Sequence, residues 1–149
     1  LSLYGERVGA LTIVAGSGDE AKRVLSQVKR VIRTNYSNPP THGGTVVASV
    51  LNEAALRQEW ETELAEMRDR IRLMRKELVE KLAAHGAKQD FSFVLQQRGM
   101  FSYSGLTADQ VERLREEHGI YAVATGRICV AALNSRNIDN VAKAIAAVL

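Results

Sequence analysis

Val8-Gly9-Ala10-Leu11-Thr12-Ile13-Val14-Ala15 is a short, apolar, β-branched run bounded by Gly9 near its start and Gly16 after its end, and a helical pattern follows it. A continuous apolar run of this kind reads as a strand buried on both faces. Gly16-Ser17-Gly18-Asp19 then makes a turn. It resembles a phosphate loop only superficially, lacking the lysine and the downstream glycine spacing. From Glu20 to Asn35, Val24, Leu25, Val28, Val31 and Ile32 recur at helical spacing, with Lys22, Arg23, Lys29 and Arg30 on the other faces. Strand then helix is the βα unit of an α/β protein.

Downstream of this unit, Tyr36 to Gly44 holds both prolines, Pro39 and Pro40, and is expected to be irregular. A small-residue helix from Thr45 to Leu51 follows. Trp60, Leu64, Met67, Ile71, Met74, Leu78 and Leu82 then form one apolar stripe. Glu61, Glu63, Glu66, Arg68, Arg70, Arg72 and Lys76 fall on the remaining faces and read as a solvated surface. Gly86 ends the helix. At roughly thirty residues against an average of about 11–12, this helix is expected to tie two parts of the molecule together.

The second half reads as a small α+β layer. Phe91 to Leu95 and Met100 to Tyr103 are expected as strands around Gln96-Gln97-Arg98-Gly99. Thr107-Ala108-Asp109-Gln110 is a capping box that opens a helix ended by Gly119. Ile120–Ala124 and Ile128–Leu133 are expected as a second strand pair, and Asn137–Val148 as the last helix.

Composition narrows the class. The 149 residues are 46% hydrophobic and 25% charged, ordinary for a globular protein and too apolar for disorder. A net charge of +3, from 20 basic against 17 acidic residues, gives nucleic acid little to bind. The single cysteine, Cys129, cannot form an internal disulfide, which suits a reducing compartment, and it reads as a buried small hydrophobe. No apolar run reaches the ~18 residues of a membrane-crossing helix. His42, His85 and His118 are scattered and have no cysteine or carboxylate partners at metal-ligand spacing. The start, Leu1-Ser2-Leu3-Tyr4-Gly5-Glu6-Arg7, lacks an initiator Met and is dense with structured-looking residues. The expectation is a piece of a longer protein.

Three arginines stand in settings where a charge needs a purpose. Arg7 adjoins an apolar run, Arg33 precedes the Ser-Asn-Pro-Pro loop, and Arg127 lies in Thr-Gly-Arg-Ile between apolar segments. A guanidinium offers a planar fork matched to carboxylate or phosphate, so three on fixed elements suggest an anionic ligand.

Their order and spelling are those of a known family. Leu3-Tyr4-Gly5-Glu6-Arg7-Val8-Gly9, Arg33-Thr34-Asn35-Tyr36-Ser37-Asn38-Pro39-Pro40, Gly99-Met100-Phe101-Ser102 and Gly126-Arg127-Ile128 with Ala131 to Asn134 resemble the fold-type I aminotransferases. The aspartate and aromatic amino acid aminotransferase group is the nearest match. The resemblance runs from Leu1 to Leu149 but covers only the C-terminal part of such an enzyme.

The resemblance implies an α/β fold-type I architecture. Residues 1–66 would be a remnant of the large domain, with the start of the connecting helix, and 67–149 the small C-terminal domain. It implies pyridoxal 5'-phosphate as cofactor, and transfer of an amino group from aspartate or an aromatic amino acid to a 2-oxo acid such as 2-oxoglutarate. Arg7 matches the grip on the cofactor phosphate, and Tyr4 lies close to the cofactor. Arg127 matches the clamp on the substrate α-carboxylate. Arg33 matches the arginine that crosses a homodimer interface to the distal carboxylate, with Ser37 and Asn38 in the loop that orients it. Phe101 matches an aromatic lining of the substrate pocket. Ser102-Tyr103 and Tyr4-Gly5 lean toward the aromatic branch.

The family's Schiff-base lysine precedes the Tyr-x-x-Arg stretch, and none of Lys22, Lys29, Lys76, Lys81, Lys88 or Lys143 matches it. No catalytic residue is therefore assigned, and the chain alone is expected to be inactive. A cytoplasmic homodimer that binds neither nucleic acid nor membrane completes this reading. The alternative is a non-catalytic helical interaction or dimerisation module built on the Trp60–Leu82 stripe.

Overall fold

The computed structural model describes residues 3–149. Leu1 and Ser2, which open the family resemblance, lie outside the described residues. The chain divides into two compact units, Leu1–Thr62 and Glu63–Leu149.

In the first unit, a turn at residues 4–6 leads into an irregular stretch, then helix α1, Gly18–Asn35, and helix α2, His42–Asn52. Ser17 caps α1 by accepting from the Glu20 N–H at 3.2 Å, and Glu20 reaches back to the Gly16 N–H at 2.8 Å. The Gly-Ser-Gly turn is thus a helix start, as its Ser-x-x-Glu spacing explains. Helix α2 begins at His42, three residues before the expected Thr45.

The strand expected at Val8–Ala15 is not formed. The segment has no regular secondary structure, no ladder partner faces it among the described residues, and its side chains are open: Leu11 is 76% and Val14 92% exposed. A strand is defined by hydrogen bonds to a neighbour, so an apolar β-branched composition alone cannot make one. Gly43 is the only buried residue among those described in this unit. A Cβ on it would stand 2.5 Å from Val8 Cγ2 and 2.9 Å from Glu6 Cβ, so only glycine lets α2 approach the stretch that carries Arg7.

Helix α3, Ala54–Ala84, is the long element that the apolar stripe foretells. In the second unit its Met74, Leu78 and Leu82 are buried, whereas Leu64 and Met67 are exposed. The core gathers these with Phe91, Val94, Leu106, Val111, Leu114, Val130 and Leu133, and with Ile138, Ala142, Ile145 and Val148 of the last helix, α6, Ile138–Val148.

Strand pairing departs from expectation. Phe91–Leu95 is not a strand: Asp90 accepts from the Ser92 N–H and Oγ, both at 2.8 Å, and the chain coils into α4, Phe93–Gln96. This Asx turn draws the Asp90 carboxyl below its ordinary value. It also turns Phe91 and Val94 into the core together. Ile120–Ala124 is not a strand either. It follows the left-handed Gly119 cap of α5, Ala108–His118, and bends into a turn in which Gly126 donates to the Val123 carbonyl at 2.8 Å. The capping box of α5, Thr107 with Gln110, is present as read from the sequence. The sheet consists of β1, Phe101–Tyr103, antiparallel to β2, Arg127–Cys129. Beyond β2, Val130–Ala132 forms a 3-10 turn where strand was expected. Cys129 is half-buried rather than buried.

Candidate functional site

The two-stranded ladder sets the geometry around Arg127. Phe101 pairs with Cys129, Ser102 with Ile128 and Tyr103 with Arg127. Alternation turns Ser102 inward and leaves Phe101 and Tyr103 outward. On that outward face the Arg127 guanidinium lies over the Phe101 ring, 4.9 Å from its centroid. Both side chains, with Tyr121 and Ile128, line a cavity of about 480 Å³ whose walls are mainly apolar. Among the described residues no carboxylate forms an ion pair with Arg127, whereas Arg57, Arg68, Arg72, Arg113 and Arg115 each have one. An arginine fork at an apolar cavity, with a ring behind it and no internal counterion, is suited to receive a carboxylate.

Gly126 fixes the start of this strand. Its φ is +81°, and a Cβ would stand 2.7 Å from the Leu106 carbonyl oxygen. Ser104 closes the same corner, its N–H and Oγ both donating to the Gly126 carbonyl, at 2.9 and 2.7 Å.

In the first unit, Arg7 has a left-handed backbone, φ 51°, and its guanidinium sits 5.6 Å from the Tyr4 ring centroid. Glu6, its neighbour in the chain, accepts from the His42 Nδ1–H through Oε1 at 3.0 Å, so this carboxylate is already engaged. Arg7 itself enters no ion pair among the described residues. A guanidinium free of carboxylates and backed by a tyrosine ring fits a phosphate ester. Arg33 Nη1 donates to Ser37 Oγ, and Ser37 also takes a left-handed backbone, φ 67°. Asn38 donates its N–H to the Tyr36 carbonyl at 2.7 Å, which tightens this loop. The structure therefore joins Phe101 with Arg127, Tyr4 with Arg7, and Ser37 with Arg33.

Sequence reasoning missed Arg75. It is 3% exposed, and its fork donates to Gly99 O at 2.7 Å, Phe101 O at 3.0 Å, Val94 O at 3.3 Å and Ser102 Oγ. Arg70 is exposed as expected, and it also donates to the Leu133 and Ala131 carbonyls, each at 2.9 Å. The available signal was position: Arg75 lies four residues after Ile71 and three before Leu78, within the apolar stripe.

Among the described residues no group of three or more His, Cys, Asp or Glu side chains could hold a metal ion, and no helix is long and apolar enough to cross a membrane.

The family model for aminotransferase class I and II matches residues 1–145, and the chain belongs to that family. Within it, the chain is 75% identical over 148 residues to an aspartate aminotransferase of Pseudomonas aeruginosa, covering 99% of this chain and 37% of the relative. It is 54% identical to the aromatic-amino-acid aminotransferase of Escherichia coli, with the same two coverages. The crystal structure of an aromatic-amino-acid aminotransferase from Burkholderia pseudomallei, covalently bound to pyridoxal phosphate, superposes with a TM-score of 0.91 at 73% identity, over 99% of this chain and 37% of that one. The architecture is accordingly that of the C-terminal part of the fold-type I enzymes, here mostly helical with a small two-stranded sheet. The chain spans about 37% of the length of the curated relatives it matches. Family membership does not favour the helical-module alternative.

Proposed function

We propose that this chain supplies the anion-holding part of a pyridoxal-phosphate-dependent aminotransferase. The full-length protein would move an amino group between aspartate or an aromatic amino acid and a 2-oxo acid such as 2-oxoglutarate. The observation that carries the reading is Arg127 on the Phe101 ring at the edge of an apolar cavity, without a counterion of its own among the described residues.

Each arginine has one task. Arg127 binds the substrate α-carboxylate through both nitrogens of its fork, and Phe101 limits how far that fork can swing. Arg7 binds the cofactor phosphate, with Tyr4 beside it. Arg33, held by Ser37 and followed by Asn38 in the loop, binds the distal carboxylate of a dicarboxylic substrate across a homodimer interface. The cofactor, when bound, supplies the electron sink for chemistry at the substrate α-carbon. The residues of this chain would hold the substrate by its carboxylates and so orient it. The small domain corresponds to residues 67–149 and the large-domain remnant to 1–66. The enzyme works in the cytoplasm.

The test is amino transfer to 2-oxoglutarate by the full-length protein, with aspartate and with tyrosine as donors. Arg127→Leu is expected to lower kcat/KM about 100-fold for both donors, as loss of a charged bidentate contact of about 2.7 kcal/mol requires. Arg33→Leu should lower it for aspartate alone. Wild-type protein that transfers from neither donor, or an Arg127→Leu variant as active as wild type, overturns the reading. The 149-residue chain mixed with pyridoxal phosphate is expected to show no turnover.

A further inference from the structure

We propose that Arg75 is a positioning residue that holds β1, and through it the Phe101–Arg127 pair, against helix α3; this rests on the transaminase reading above. The side chain is buried at 3% exposure and meets only neutral acceptors, at Val94, Gly99, Phe101 and Ser102. No carboxylate pairs with it among the described residues. Burial, and after it the nearby Arg98 charge, draws the guanidinium below the ordinary arginine value, although arginine stays protonated.

A buried cation without a counterion is an expensive way to fill space, and an apolar side chain of similar volume serves stability better. What the fork adds is geometry. Two of its acceptors, Gly99 O and Phe101 O, flank Met100, so the backbone from which Phe101 projects is fixed along its length. A third, Ser102 Oγ, is on the inward residue, so the strand cannot rotate or slip by one without breaking it. Ser102 pairs with Ile128, immediately beside Arg127, which carries the constraint into β2. Arg70 completes the frame at the far end: it binds Ala131 O and Leu133 O, while the Ala131 N–H donates to Met100 O at 3.3 Å. Strands of three residues have few ladder bonds of their own, so their register depends on these forks.

The experiment uses the full-length protein carrying Arg75→Met or Ser102→Ala. It measures amide hydrogen exchange, and kcat and KM for aspartate. Arg75→Met is expected to speed exchange at residues 101–103 and 127–129 at least tenfold while the α5 and α6 amides keep their wild-type rates. KM for aspartate should rise about tenfold with kcat changed less than twofold, a split that general loss of stability does not produce. Ser102→Ala, which removes one acceptor and leaves the charge in place, should move both readouts the same way by about threefold. Unchanged exchange in the two strands, or loss of protection spread evenly over the second unit, overturns the proposal. Should Arg75→Met fail to fold, Ser102→Ala decides, and wild-type values for it are the overturning result. If wild-type protein transfers no amino group from aspartate, the transaminase reading fails, and exchange in the strands still decides whether Arg75 holds them.

Discussion

Arg127 stacks on Phe101 although the two are not ladder partners: Arg127 faces Tyr103, and Phe101 faces Cys129. The contact is diagonal, reached because side chains two apart on a strand share a face. It gives the guanidinium an aromatic wall on one side, and both residues line the same cavity.

Phe101→Leu should therefore weaken substrate binding without unfolding the protein. A cation–π contact at an exposed site is worth about 0.5–1 kcal/mol, or a two- to fivefold change. In the full-length protein, KM for amino acid donors is expected to rise by that factor and the thermal midpoint to stay in place. A KM unchanged within error would show that the ring does not orient the fork.

Gly126→Ala tests the corner from which β2 starts. An alanine at φ +81° is strained, and its Cβ would meet the Leu106 carbonyl oxygen at 2.7 Å, an atom of backbone that cannot move aside alone. The expected destabilisation is about 2–4 kcal/mol, from the left-handed penalty and the overlap together. Urea unfolding measures it, and a loss below 1 kcal/mol would mean that the corner relaxes.

The residues that could be read from sequence are those whose signal is local. Thr107 with Gln110, and Gly119 as a left-handed cap, bound α5 as expected because a cap is satisfied by neighbours a few residues away. The stripe through Met74, Leu78 and Leu82 gave away α3 for the same reason. Strand partners were hidden. Phe91–Leu95 and Ile120–Ala124 have strand composition, but the choice of Phe101–Tyr103 against Arg127–Cys129 is a long-range contact that no local pattern encodes. Arg127 and Phe101 were legible through their motifs, whereas Arg75 showed only in its place on the apolar stripe, between Ile71 and Leu78, since the residue type by itself reads the same in solvent and under a strand.

Asp139 gives the second unit a pH dependence. Its carboxyl accepts from Lys81 at 3.0 Å and meets His85 Nε2 at 3.3 Å, linking the end of α3 to the start of α6. These hydrogen bonds, Lys81 first, hold it below the ordinary carboxylate value. A carboxyl depressed in the folded state adds stability above its unfolded value, about 3.9, and loses that stability as the pH falls through the lower folded value. Asp139→Asn should therefore narrow the fall in urea midpoint between about pH 5 and pH 2.5 relative to wild type. Parallel pH profiles for the two proteins would rule the linkage out.

The irregular stretch Val8–Ala15 yields the last prediction. It has the composition of a buried strand, yet Leu11 and Val14 are open and no ladder partner faces them among the described residues. Gly9, Leu11 and Ile13 line, with Val24, Val28 and Ile32 of α1, an apolar groove of about 950 Å³. Backbone donors in such a run are costly to leave unpaired once covered, so anything that covers it must also supply hydrogen bonds. A neighbouring strand does both at once. In a protein extended to the relatives' full length, of which this chain covers 37%, amides 8–15 are expected to exchange at least 100-fold more slowly than in the 149-residue chain alone. Equal rates in the two proteins would show that the stretch stays unpaired, and its apolar composition would then need a different explanation.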